Sequence, residues 1–236
     1  MKILGIDGSG LVASVAIVED DNLIGEYTTG YKKTHSQTLL PMLDELSKMV
    51  DLDLNTIDAI AVAAGPGSFT GLRIASATAK GLGLSLGCPI VSVPTVDALA
   101  FNMWGSSSLI CPIMDARRGQ VYSGLYSFDS KGDFNVEKSQ CAVDFNEIAN
   151  TINQLGQPVT FLGDGVPVFK EKISDIIKVP YRFAPAHLNR QHASSVASLG
   201  AIYYANGDCE IAADHRPEYL RLSQAERERL EKEGKA

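Results

Sequence analysis

The 236-residue chain has no apolar stretch approaching 18 residues, so none of it reads as a membrane-spanning helix. Its start, Met1-Lys2-Ile3-Leu4-Gly5-Ile6-Asp7, holds too short an apolar run for a signal peptide and soon meets Asp7. It is poor in positive charge. Lys and Arg number 21 against 28 Asp and Glu, the net charge is −7, and no basic run appears. That disfavours a dedicated nucleic-acid binder, which needs clustered Lys and Arg for phosphates. The four cysteines, Cys88, Cys111, Cys141 and Cys209, form no C-x-x-C pair, so neither a zinc site nor a redox pair is suggested. Scattered single cysteines fit a reducing cytosol, and a cytoplasmic location is expected. No Lys-Ser/Thr pair follows a G-x-x-x-x-G spacing, so there is no Walker loop. The one G-x-S-x-G spacing, Gly83 to Gly87, falls in the predicted helix 70–86 and not at a strand-to-helix turn, which leaves nucleophilic catalysis without support.

What is present is organised around one stretch, Ala63-Ala64-Gly65-Pro66-Gly67-Ser68-Phe69-Thr70-Gly71-Leu72-Arg73. The apolar run 57–64 predicts a buried strand, and 70–86 has helical spacing. Strand, glycine turn and helix can point backbone N–H groups at an anion, with Gly65, Gly67 and Ser68 at the turn. The same arrangement serves simply to turn a strand into a helix, and both uses stand. Asp7-Gly8-Ser9-Gly10 is similarly open. It reads as a phosphate hairpin, with Asp7 near a metal and Ser9 near a nucleotide, or as a polar turn. His35 precedes a helix. His187 and His192 are five apart, wrong for two ligands on one helical face, and His215 sits in a loop. Asp7, Asp115 and Asp164 close strands or turns, where carboxylates hold metals or merely make the turn.

Strands are predicted over 2–7, 13–18 and 23–29, then a helix from Thr34 or Ser36 to about Val50. Pro41 fits that helix's first turn if it begins near Thr38, and otherwise implies a kink. Leu39, Leu40, Leu43 and Leu46 form its apolar stripe. The helix after the glycine turn is rich in small residues, among them Gly71, Ala75, Ser76, Ala79, Gly81 and Gly83. A glycine inside a helix costs about 1 kcal/mol relative to alanine, and close approach to another backbone is the usual gain. Arg73 and Lys80 lie seven apart on one of its faces. These two helices serve as core or as a contact between subunits.

A strand over 90–93 and a helix over 95–104 follow. Leu109 to Asp115, a polar turn, 120–128, a second Asp-containing turn and 134–139 then repeat the opening of the chain about 108 residues later. Two similar α/β lobes are expected, 1–105 joined by a helix at 191–207, and 106–222. Within the second, helices are expected over 144–155 and 166–177 and a strand over 158–162. The charged segment 223–236 reads as a solvated helix and tail.

The residues Ile3-Leu4-Gly5-Ile6-Asp7, His35-Ser36 with Leu39-Leu40-Pro41, and Gly65 to Arg73 with Ala79-Lys80-Gly81-Leu82 resemble the TsaB (YeaZ) family. So do Asp115-Ala116-Arg117-Arg118-Gly119-Gln120-Val121-Tyr122, Gly163-Asp164-Gly165 and Pro217-Glu218-Tyr219-Leu220-Arg221, in matching order over 1–222. The resemblance implies an actin-like, ribonuclease H-like (ASKHA) duplicated fold, each lobe a mixed sheet flanked by helices. It implies a non-catalytic part in making N6-threonylcarbamoyladenosine in ANN-decoding tRNAs. The partners implied are a TsaD-like paralogue that performs the transfer, a small TsaE-like ATPase, and a second copy when the chain is alone. Contact with tRNA would be indirect, and no cofactor or metal is implied. Where TsaD-like chains carry an H-x-x-x-H metal pair, this sequence has Thr95 and Leu99, and neither can build that site. The interface implied uses His35, Leu39, Leu40, Leu43, Leu46, Phe69, Leu72, Arg73, Ala75, Ser76, Ala79 and Lys80. Asp7, Ser9, Gly65, Gly67 and Ser68 would remain as a weak or vestigial nucleotide frame. The rivals are an ATPase or small-molecule kinase of the same fold and, behind it, a metallopeptidase.

Overall fold

The computed structural model describes residues 1–31 and 34–221; the charged helix expected over 223–233 lies outside the described residues. In the first sheet β1 (Lys2–Asp7), β2 (Ala13–Glu19) and β3 (Asn22–Thr29) pair as an antiparallel meander. After α1 (His35–Met49), β4 (Ala59–Gly65) adds parallel to β1. After α2 (Phe69–Leu86), β5 (Ile90–Pro94) adds parallel to β4. A short α3 (Thr95–Phe101) leads to the second sheet, built from β6 (Leu109–Asp115), β7 (Gln120–Phe128), β8 (Phe134–Asp144), β9 (Val159–Leu162) and β10 (Tyr181–Phe183). Its helices are α4 (Phe145–Leu155) and α5 (Val166–Ile176), and α6 (Ala193–Ala205) follows.

The first sheet runs β3-β2-β1-β4-β5 and the second, read in the same sense, β8-β7-β6-β9-β10. Strand for strand, the two lobes share one topology, the duplicated actin-like arrangement. The repeat extends to a turn: Asp7 Oδ1 accepts the Ser9 N–H (2.8 Å), and Asp115 Oδ1 accepts the Arg117 N–H (2.8 Å). An Asp two residues before a free N–H closes such a turn by itself.

The first sheet is covered on one face by α1 and α2, through Leu39, Leu43, Leu46, Ala75 and Ala79, and on the other by α6, through Val196, Ala197 and Leu199. The second sheet is backed by α4 and α5. Between the lobes lies α3, whose Val96, Leu99 and Ala100 pack with Ile110, Met114, Tyr126 and Leu162. A buried bond crosses this junction, Tyr126 Oη donating to Asp97 Oδ1 (2.6 Å). The start of α6 is tied to the first lobe. Ala193 N–H donates to Ser14 Oγ, Ser194 N–H to Glu26 Oε1, and His192 Nδ1 lies 3.1 Å from Glu26 Oε2. Burial alone would raise the Glu26 carboxyl. Its bonds with His192 and Ser194 outweigh that and hold it below its ordinary value.

α1 starts at His35 with Thr34 at the N-cap position, one of the two starts expected, so Pro41 is interior to it and the Gln37 carbonyl lacks its helical donor. Two expectations are corrected. β8 continues to Asp144, beyond 139, because β7 supplies ladder partners that far. The three-residue β10 was missed, being too short to show a period of its own; β9 dictates it.

Candidate functional site

At the end of β4 the Gly65 φ is +127°, a value open to glycine alone, and the Gly65–Pro66 bond is cis. Thr95 Oγ1 accepts the Gly65 N–H (3.1 Å). Ser68 caps α2, its Oγ accepting the Gly71 N–H (3.3 Å), while its own N–H donates to the Ser9 carbonyl (2.6 Å). A Cβ at Gly67 would overlap that Ser9 carbonyl oxygen, and one at Gly71 the carbonyl oxygen of Gly8. The hairpin after β1 and the turn after β4 are thus pressed together backbone to backbone. His35 Nε2, 2.9 Å from the Gly10 carbonyl oxygen, pins α1 to the same hairpin. Two N–H groups an anion would need, those of Ser68 and Gly71, are already spent inside the chain. Both of these N–H groups serve the turn and the helix cap.

Beside it an interlobe cleft of about 590 Å³ opens, lined by Ser9–Leu11 and Pro66–Thr70 from the first lobe, Met114–Arg117, Tyr122 and Asp164 from the second, and Tyr219–Arg221. Asp7 lies under this wall, buried, with Oδ1 taking both the N–H and the hydroxyl of Ser9 and Oδ2 without a partner among the described residues. Burial pushes its pKa up to about 6. An acid raised by folding is a cost that starts as pH rises past its unfolded value near 3.8 and is complete above its folded value. Asp7→Asn is therefore expected to raise stability at pH 7 by on the order of 1 kcal/mol, about 2–4 °C in thermal midpoint, and to leave it unchanged near pH 3. A midpoint that falls equally at both pH values would sink this reading. Asp164 is likewise pushed up, first by burial, and its Oδ1 accepts the Asp115 N–H (3.3 Å).

The two helices separate into a covered face and an open one. Leu39, Leu43, Leu46, Leu72, Ala75, Ser76 and Ala79 are all buried, and Leu39, Leu43, Leu46, Ala75 and Ala79 pack against the chain's own first sheet. These expected interface residues are core, because a sheet flanked by helices must take their apolar stripes. A charge at Leu43 or Ala75 would unfold the lobe rather than probe an interface. Arg73 and Lys80 face the chain's own C-terminal segment. Arg73 Nε donates to Tyr219 Oη (3.2 Å) and its guanidinium sits 4.1 Å from the Phe69 ring centre. Lys80 Nζ donates to the carbonyls of Ala213 (2.8 Å) and His215 (3.0 Å). Phe69 stacks on Tyr219 at 4.7 Å. Of the expected set Leu40, on α1, is 53% exposed. On α2 Ala77, Gly81 and Leu84 share one exposed face, residues that period alone did not separate from the core. Thr95 is buried on the Gly65 N–H and Leu99 is buried in the interlobe core.

The whole chain resembles a curated protein of Bacillus subtilis (strain 168), the tRNA threonylcarbamoyladenosine biosynthesis protein TsaB, at 36% identity over 98% of this chain and 99% of that one. This chain belongs to the TsaB family. A second TsaB, from Escherichia coli (strain K12), is 30% identical over 70% of this chain and 72% of its own. The solved YeaZ structure from Pseudomonas aeruginosa superposes with a TM-score of 0.79 at 26% identity, covering 93% of this chain and 99% of that one. A family model described as "TsaD: tRNA N6-adenosine threonylcarbamoyltransferase" matches residues 22–229. The TsaB family and that transferase family therefore share a sequence frame across both lobes. Among the described residues no helix is long and apolar enough to cross a membrane.

Proposed function

We propose that this chain is a non-catalytic scaffold in tRNA N6-threonylcarbamoyladenosine synthesis, acting through the open face of α2 on a TsaD-like paralogue. The observation that carries this is Gly81. It lies mid-helix, exposed, and beyond its own helical turn nothing among the described residues comes within 4 Å of where a Cβ would stand. A glycine there costs about 1 kcal/mol relative to alanine with no return inside the chain. A second helix backbone seated between Ala77, Gly81 and Leu84 gives the return. Docking stabilises a competent arrangement of the paralogue's lobes by shifting its conformational equilibrium. The same face joins two copies when the chain is alone. A TsaE-like ATPase joins the pair, tRNA is met through the partner, and the complex works in the cytoplasm. The absence of the His pair at Thr95 and Leu99 supports leaving the transfer step to the paralogue.

The test is a pull-down with the TsaD-like paralogue of the same cell, followed by nucleoside analysis of tRNA after depletion. Capture of the paralogue and loss of the modified adenosine are expected. Full modification after depletion would overturn the reading. The ATPase alternative rests on the cleft, and calorimetry with Mg-ATP on the isolated chain decides it: tight binding with turnover would favour it.

A further inference from the structure

The C-terminal segment 209–221 runs back along α2 and crosses to the second lobe, and its two halves are held by different means. The first half is built into the fold. Glu210 exchanges both backbone bonds with Ile90, N–H to O at 2.8 and 2.9 Å, extending the first sheet. Ala212 is buried beside Gly83, and His215 is buried with Nδ1 2.9 Å from both Ser92 Oγ and Glu210 Oε1. The second half has no regular structure and lies at the surface. Its Glu218 N–H donates to the Ala64 carbonyl (2.7 Å), and its Glu218 Oε2 accepts from Gln140 Nε2 of β8 (3.2 Å). Tyr219 rests on Phe69 under Arg73, and Arg221 donates to the Ala116 carbonyl of the second lobe. Few buried apolar contacts and exposed polar bonds mark a segment that opens before its surroundings do.

We propose that 216–221 is a latch, hinged after His215, that opens while 209–215 stays seated, and that docking on α2 closes it. Closed, it joins the glycine turn to the second lobe and walls the interlobe cleft with Tyr219, Leu220 and Arg221. Open, it releases both. Closure is linked to docking through Arg73, which holds Tyr219 from the helix that the partner covers. The link rests on the docking reading above; the latch itself does not.

Two amides of the intact chain report separately on the halves, Glu218 on Ala64 and Glu210 on Ile90. In Tyr219→Ala, hydrogen exchange at Glu218 is expected to quicken about tenfold while Glu210 holds its rate. Gln140→Ala, which removes the second-lobe partner instead, is expected to do the same. Equal quickening at both amides, or none at either in both variants, overturns the latch. With the TsaD-like paralogue bound to the unaltered chain, Glu218 exchange is expected to slow at least several-fold. Binding without that slowing overturns the link to docking. A paralogue that does not bind overturns the docking reading and the link together, and leaves the latch to be judged on the isolated chain.

Discussion

Gly81→Arg is expected to abolish capture of the TsaD-like paralogue while the fold persists. A Cβ at this position meets no atom of the described residues within 4 Å beyond its own helical turn. Arginine is also a far better helix former than glycine, so the helix should gain up to about 1 kcal/mol and the thermal midpoint hold or rise. Binding faces the opposite balance. A helix–helix contact made possible by small residues leaves no room for a guanidinium, and a buried charge without a partner costs about 3–5 kcal/mol. That is a loss of roughly 100-fold to 4,000-fold in affinity. Calorimetric titration with the paralogue, alongside thermal unfolding of the variant, measures both. An intact variant that binds as well as the parent would end the claim for this face. Neither Leu43 nor Ala75 allows this separation, because each is buried in the first lobe's own core.

The second large effect is a reversal of sign between two glycines ten positions apart on one helix. Gly81→Ala should stabilise the isolated chain by up to about 1 kcal/mol, the ordinary helical preference. Gly71→Ala should destabilise it by about 1–3 kcal/mol, enough to overcome that preference, because it overpacks a closed contact. Its new Cβ would overlap the Gly8 carbonyl oxygen and stand 3.0 Å from the His35 ring. The neighbour on one side is backbone of the hairpin after β1, which cannot rotate away as a long side chain would. His35 is fixed in turn by its contact with the Gly10 carbonyl. Denaturant unfolding of the two variants under one set of conditions checks the pair. If both stabilise, the packed hairpin and turn are not what requires glycine at position 71.

Much of this architecture was legible in the linear chain because it is local. Alternation and apolar runs marked β1, β6 and β7, and the repeated pattern of strand, Asp and turn showed the duplication before any sheet was drawn. Asp7 and Asp115 make their turns with an N–H two residues on, a contact that needs nothing distant. The Ser68 cap and the start of α2 were readable for the same reason.

What the sequence by itself determined is a two-lobed α/β chain, the glycine stretch at its centre, and a small-residue helix after it. Only the tertiary structure decided which glycines of that helix are occupied and which are open. Gly71 and Gly81 are the same residue in the same element, and their difference comes from the hairpin that covers one of them. The tertiary structure also decided that Arg73 and Lys80 hold the chain's own end. Their partners lie 146 and 133 residues away, beyond the reach of any local period. Periodicity states that a helix has two faces; which face is covered depends on segments that reach it through the fold. The stretch from Gly65 to Arg73 was open as an anion cradle or as a turn, and only the close packing of two backbones shows that its Ser68 and Gly71 N–H groups are bonded within the chain.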